Sequence, residues 1–154
     1  MRRRNNFLLW KFASSVVLLD QASKYLAEVF FKHQNFTLNS WFGFTLSHNT
    51  GCAWSLFLGQ TMPLGLLGVV LLILIYYARN ILKVCEHPIA FGLLVGGILG
   101  NAIDRLFRGF VIDFIDINLQ IYHWPTFNIA DTVLCIAAFI LIFFPSKSEQ
   151  NSIT

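Results

Sequence analysis

GNAIDRLFRGFVIDFIDINLQIYHWPTFNIAD, residues Gly100–Asp131, decides how this chain is read. Asn101, Asp104 and Arg105 close one very apolar run, and Asn128 and Asp131 open the next. Between them Val111, Ile112, Phe114 and Ile115 surround Asp113 with large apolar side chains. Ionisable groups at membrane depth are costly and mark function or buried pairing. The runs on either side of the stretch are long enough to make that the relevant solvent.

The whole composition agrees. The 154 residues are one domain by length, 56% hydrophobic and only 12% charged, against about 25% charged in ordinary soluble domains. Four spans are predicted, at about 7–31, 62–79, 88–106 and 128–145, with a surface β segment at about 32–61. The first is apolar to Leu19 and then carries Asp20, Lys24 and Glu28. Asp20 and Lys24 are four apart, on one helix face, and can pair. They read either as a snorkelling lysine with a helix-stabilising partner or as polar support beneath a site, near the outer interface and pointing into the bundle. The second span, Met62–Ala78, has no charge and is closed by Arg79. In the third, Gly92, Gly96 and Gly100 form a small-xxx-small ridge for close helix packing. Pro145 ends the fourth, and Ser146–Thr154 reads as a polar, frayed tail. Arg2, Arg3 and Arg4 before an apolar run imitate a signal peptide. Lys11 interrupts that run and no clean cleavage site follows, so it reads as an uncleaved first span.

Within the surface segment, Phe42, Phe44 and Leu46 alternate with Gly43, Thr45 and Ser47, the period of a strand. His48-Asn49 and Gly51 suggest turns beside it. A small sheet on the membrane surface is expected, its aromatic side (Trp41, Phe42, Phe44, Trp54) towards lipid or substrate, with interfacial anchoring as the plainer role. Gly43 and Gly51 are candidate hinges for a lid. Arg2, Arg3, Arg4, Lys11, Arg79, Lys83 and Lys147 fall on one side, against Lys24, Lys32, Arg105 and Arg108 on the other. That bias puts both termini in the cytoplasm and residues 104–128 outside. Arg105 and Arg108 oppose the rule and need partners, for which Asp104 and Asp116 are candidates.

Asn128 and Asp131, three apart at a helix start, suit a capping arrangement in which the helix dipole favours ionised Asp131. Asp113, desolvated by its neighbours, holds a proton more easily. One ionised and one protonated carboxyl sharing a water is the arrangement of an aspartic hydrolase. Residues 114–130 are then a surface loop returning both aspartates to one depth. A carboxylate Mg²⁺ site is the rival chemistry. His33, His48, His87 and His123 lack ligand spacing and a partner pattern. Cys52, Cys85 and Cys135 read as packing residues, and no GxSxG occurs. No basic–aromatic footprint for nucleic acid is present.

Five motifs together resemble the bacterial lipoprotein signal peptidases (signal peptidase II), over nearly the whole chain. They are Asp20-Gln21-x-x-Lys24; Asn49-Thr50-Gly51-Cys52-Ala53-Trp54-Ser55; Gly100-Asn101-x-x-Asp104-Arg105; Val111-x-Asp113-Phe114; and Phe127-Asn128-x-Ala130-Asp131. Cys52 stands where a small residue is usual. The resemblance implies a multi-pass, mainly α, four-span aspartic endopeptidase of the bacterial inner membrane with a small β-sheet on its periplasmic surface. It implies a diacylglyceryl-prolipoprotein substrate cut just before the lipidated cysteine, no metal or other cofactor, and sensitivity to the cyclic peptide globomycin. Asp113 and Asp131 would be the catalytic pair. Asp20, Lys24, Asn49, Gly51, Asn101, Asp104, Arg105, Asn128 and Ala130 would bind substrate or support the site.

Two other readings compete. In-membrane ionisable residues also mark proton or ion paths, although the acids here cluster at one face and no internal repeat occurs. A non-catalytic membrane subunit would use Asp20–Lys24 and Asp104–Arg105 as assembly ion pairs.

Overall fold

The computed structural model describes residues 2–52, 54, 56–82 and 84–144. Ala53 and Ser55 of the second motif, Lys83, Pro145 and the tail Ser146–Thr154 lie outside the described residues, as does the side chain of Arg2. Four helices carry the fold: α1 (Arg2–Phe30), α2 (Thr61–Ala78), α3 (Pro88–Ile103) and α4 (Ile129–Phe143). Helix α1 starts five residues before the predicted Phe7. Helix α3 runs on as a π turn, Asp104–Arg108, closed by Gly109 at φ 80°, whose N–H bonds the Asp104 carbonyl. Single π turns recur at functional sites.

Helix α3 is the hub, because its glycines leave room for neighbours on several sides. A Cβ on Gly92 would lie 2.7 Å from the Leu9 carbonyl oxygen, and one on Gly96 would lie 2.7 Å from Val16 Cβ. The predicted glycine ridge therefore packs α3 on α1. Gly97, one residue on, faces Ala130 and Leu134 of α4. Helix α2 touches α3 through Gly68 and buries only Gly65. A helix apolar all round yet exposed belongs in lipid. Two helical stretches, Thr61–Ala78 and Pro88–Arg108, are long and apolar enough to cross a membrane. Helix α1 is longer but carries Asp20, Lys24 and Glu28, and α4 has 15 residues.

The sheet is antiparallel, in the order β1 (Phe36–Thr37), β2 (Phe42–Asn49), β3 (Val111–Asn118), β4 (His123–Phe127). Half of it corrects the sequence reading, which kept the sheet within residues 32–61 and made 114–130 a loop. Asp113 and Asp116 are an odd number apart, so β3 breaks period-two alternation, and its first four residues are all buried. Strand β2 also runs on through His48 and Asn49, where turns were expected. Phe44 is half-buried and also lines an open cavity with Phe30, Phe31 and Phe36. It stacks on Phe31 at 5.2 Å and packs with Phe114 and Ile112 in the core under the sheet, while Trp41 and Trp54 stay exposed.

Apolar side chains pack at both ends of the bundle, Leu9, Val84 and Phe91 at one, Ala27, Ile112 and Phe114 at the other. The buried layer between is polar: Asp20, Lys24, Asn101, Asp104, Asp113 and Asn128.

Candidate active site

Lys24 organises the first half of that layer. Its ammonium lies 2.8 Å from Asp20 Oδ2, 2.8 Å from Asp104 Oδ2 and 3.1 Å from Asn101 Oδ1. An ammonium has three donors, and all three are used. Lys24, Asp20 and Asp104 are 0% exposed, which excludes the snorkelling reading. Each acid also has a second duty. Asp20 Oδ1 accepts the Ala130 N–H at 2.9 Å, capping α4 from α1. Asp104 Oδ2 accepts the Ile112 N–H, tying β3 to the π turn. Its Oδ1 meets Arg108, one of the two arginines for which Asp104 was a candidate partner. The other candidate partner, Asp116, instead pairs with His123 at 2.5 Å and Thr45 at 3.0 Å. His48 pairs with Glu28 at 2.6 Å, so two of the four histidines have partners that their spacing did not show.

The second half is built on two asparagines. Asn128 caps α4, its Oδ1 accepting the Asp131 N–H at 2.9 Å. That fixes its Nδ2 to donate to Asp113 Oδ1 at 2.7 Å. Asn101, held by Lys24, donates Nδ2 to Asp131 Oδ1 at 2.7 Å. Asn49 donates to Asp113 Oδ2 at 3.0 Å, while its own Oδ1 accepts the Gly51 N–H at 2.9 Å. Each aspartate thus receives an amide donor, and Asn128 touches both residues.

The two carboxyls sit on different elements, Asp113 on β3 and Asp131 on α4. Asp113 is 2% exposed. Burial, followed by the nearby charge of Asp131, pushes its carboxyl up to about 7, against the pull of Asn49 and Asn128. Asp131 sits in the first turn of α4, where the dipole favours an anion. Charge balance points the same way. Asp20 and Asp104 are offset by Lys24 and Arg108, leaving Arg105 within electrostatic reach of Asp113 and Asp131. One cation balances one carboxylate, so the pair is neutralised by holding a single proton.

Arg105 also fixes the surface segment, donating to the Gly51 carbonyl at 3.0 Å. Its buried Nε has no partner among the described residues. Gly51 has no room for a side chain: a Cβ would lie 2.4 Å from the Leu56 carbonyl oxygen. A cavity of about 190 Å³ between α2, α3 and α4, walled by Leu64, Leu67, Ile98 and Leu134, reaches Asn101 and Arg105. All the sequence-predicted residues join this one network, Ala130 through the N–H that Asp20 caps. Gln21 was quoted in a motif without a role. It bridges Asp20, Asp104 and the Gly100 carbonyl and accepts from Arg108.

Residues 12–145 match the Signal peptidase (SPase) II family. This chain belongs to that family. Its members are proteases that cleave signal peptides from prolipoproteins. The lipoprotein signal peptidase of Teredinibacter turnerae is 39% identical over 135 residues, covering 83% of this chain and 80% of the relative. That of Coxiella burnetii is 37% identical over 142 residues, covering 87% and 86%. A solved bacterial membrane enzyme, 33% identical, superposes with a TM-score of 0.73 over 85% of this chain and 82% of that one.

Proposed function

We propose that the chain is an intramembrane aspartic endopeptidase, with Asp113 and Asp131 as its catalytic pair. It removes signal peptides from diacylglyceryl-modified prolipoproteins, cutting just before the lipidated cysteine. The observation that carries this is the pair itself: two carboxyls joined through Asn128, one buried and holding a proton to about 7, the other at a helix N-terminus. Ionised Asp131 takes a proton from a water held between the carboxyls. Its oxygen attacks the peptide carbonyl while Asp113 gives its proton to the carbonyl oxygen, leaving a neutral gem-diol. The proton on Asp131 then passes to the departing nitrogen, Asp113 recovers one from the gem-diol, and the C–N bond breaks. Charge never accumulates on the substrate, which suits a water-poor site.

The free Nε of Arg105 supplies a donor for a substrate carbonyl. The apolar cavity beside it is a fitting path for the hydrocarbon part of the substrate from lipid to the pair. All four helices span the bacterial inner membrane in this reading, both termini cytoplasmic and the sheet periplasmic. Globomycin-type cyclic peptides compete for the same site. The direct test is cleavage by the purified protein in lipid of one prolipoprotein with and without the diacylglyceryl group on its cysteine. Cleavage of the modified form alone is expected; cleavage of neither, or equal cleavage of both, contradicts the assignment.

A further inference from the structure

The buried ion cluster and the aspartate pair meet at one side chain. Asn101 Oδ1 accepts from Lys24 Nζ at 3.1 Å and from Asn128 Nδ2 at 3.3 Å, and its Nδ2 donates to Asp131 Oδ1 at 2.7 Å. An asparagine amide can be turned over with almost no change of shape, so its partners alone choose the orientation. Turned over, this one would set its N–H groups against an ammonium and a second amide, and its oxygen against a carboxylate oxygen. Lys24 cannot move aside: it is 0% exposed and its other two donors are spent on Asp20 and Asp104, each at 2.8 Å.

We propose that Lys24 is a positioning residue for Asp131: it holds the Asn101 amide in the orientation that gives Asp131 an N–H donor. The inference rests on the reading of Asp113 and Asp131 as the catalytic pair. Arg105 and Asp113 also face Asp131 and are unchanged in every variant below; Lys24 touches neither aspartate of that pair, so its effect on them has two possible routes. One is its charge acting through space, which is independent of Asn101. The other is the amide, which is not. With the ammonium gone, only the longer, uncharged contact from Asn128 Nδ2 at 3.3 Å still holds the amide, so the turned amide becomes accessible and its carbonyl accepts from a protonated Asp131. The ionised base is then reached only at higher pH.

The test is kcat/KM against pH for wild type, Lys24→Met, Asn101→Leu and the double variant. The acid limb is expected to rise by about one pH unit in each single variant, the size of one charge-assisted hydrogen bond. The double variant is expected to rise no further than Asn101→Leu alone, since residues acting through one contact are not additive. An acid limb that stays put in Lys24→Met, or shifts that add in the double variant, overturns the proposal. Lys24→Met leaves buried Asp20 without a cation, while Asp104 keeps Arg108. If its thermal melt shows loss of folding, the charge-balanced Asp20→Asn/Lys24→Met pair carries the same comparison. Asp131→Asn is the control that separates the two levels. If it folds and still cuts, the catalytic pair itself is wrong. If it is inactive while the acid limb of the Lys24 variants stays put, only the role of Lys24 is wrong.

Discussion

At the scale of single residues, proton placement is the property with consequences. The Asp113 carboxyl is pushed up to about 7 by burial, and in the proposed reaction it acts as the acid and must be protonated. The kcat/KM is therefore expected to fall as pH rises through about 7. Asn49 bonds the charged form of Asp113, so Asn49→Ala should move this alkaline limb to higher pH. An unmoved or lowered limb in the variant's pH–rate profile contradicts that. Stability follows the same proton. Between an ordinary carboxyl's range and about 7, the folded chain holds a proton that the unfolded chain has released, so Asp113 costs stability as pH rises. Asp113→Asn should gain thermal stability relative to wild type between pH 5 and pH 8 while losing activity. Melts at the two pH values check it; a difference that stays constant with pH would place the proton elsewhere. The desolvation of Asp113 was legible in the sequence, because its apolar neighbours are adjacent in the chain. The amide donors were less so. Asn49, Asn101 and Asn128 come from three separate elements, and only the fold orients them.

Among the elements, α3 sets the tolerances. A Cβ on Gly100 would lie 2.7 Å from Asp20 Oδ2, inside the ion cluster. Gly100→Ala should destabilise the fold by about 1–3 kcal/mol, as overpacking does, and chemical denaturation measures it; a neutral result would mean that Asp20 has room to move. Gly51→Ala strikes backbone at Leu56 and displaces the carbonyl that Arg105 holds. Its expected effect is a loss of about 10²-fold in kcat/KM, the size that ångström-scale misplacement can reach. Near-wild-type cleavage would show that Arg105 does not need that anchor. The glycine ridge was legible because helix periodicity survives in sequence. Strand β3 was not, since burial on both faces and the Asp113–Asp116 spacing erase the period of two.

For the whole molecule, a sided arrangement is expected, with the sheet outside and the N-terminus inside. Ile121, 97% exposed at the β3–β4 tip, should, as Ile121→Cys in a background lacking the native cysteines, react with a membrane-impermeant thiol reagent added to intact cells. A cysteine placed at the N-terminus should not. The opposite pattern would invert the topology. Apolar runs made the helices readable, because lipid-facing surface needs no pattern beyond hydrophobicity. The site was readable as a set of residues, because charges in such runs stand out, but not as a circuit. Lys24 and Asp131 meet through Asn101, across contacts between positions far apart in the chain. The most direct measurement of the central claim is cleavage of a diacylglyceryl-modified prolipoprotein by wild type, Asp113→Asn and Asp131→Asn, each checked for folding by thermal melt. Wild type is expected to cleave, and both folded variants to lose at least about 10³-fold. A folded variant that cuts at near the wild-type rate would contradict the claim, and would leave these two aspartates as supports for a different catalytic group.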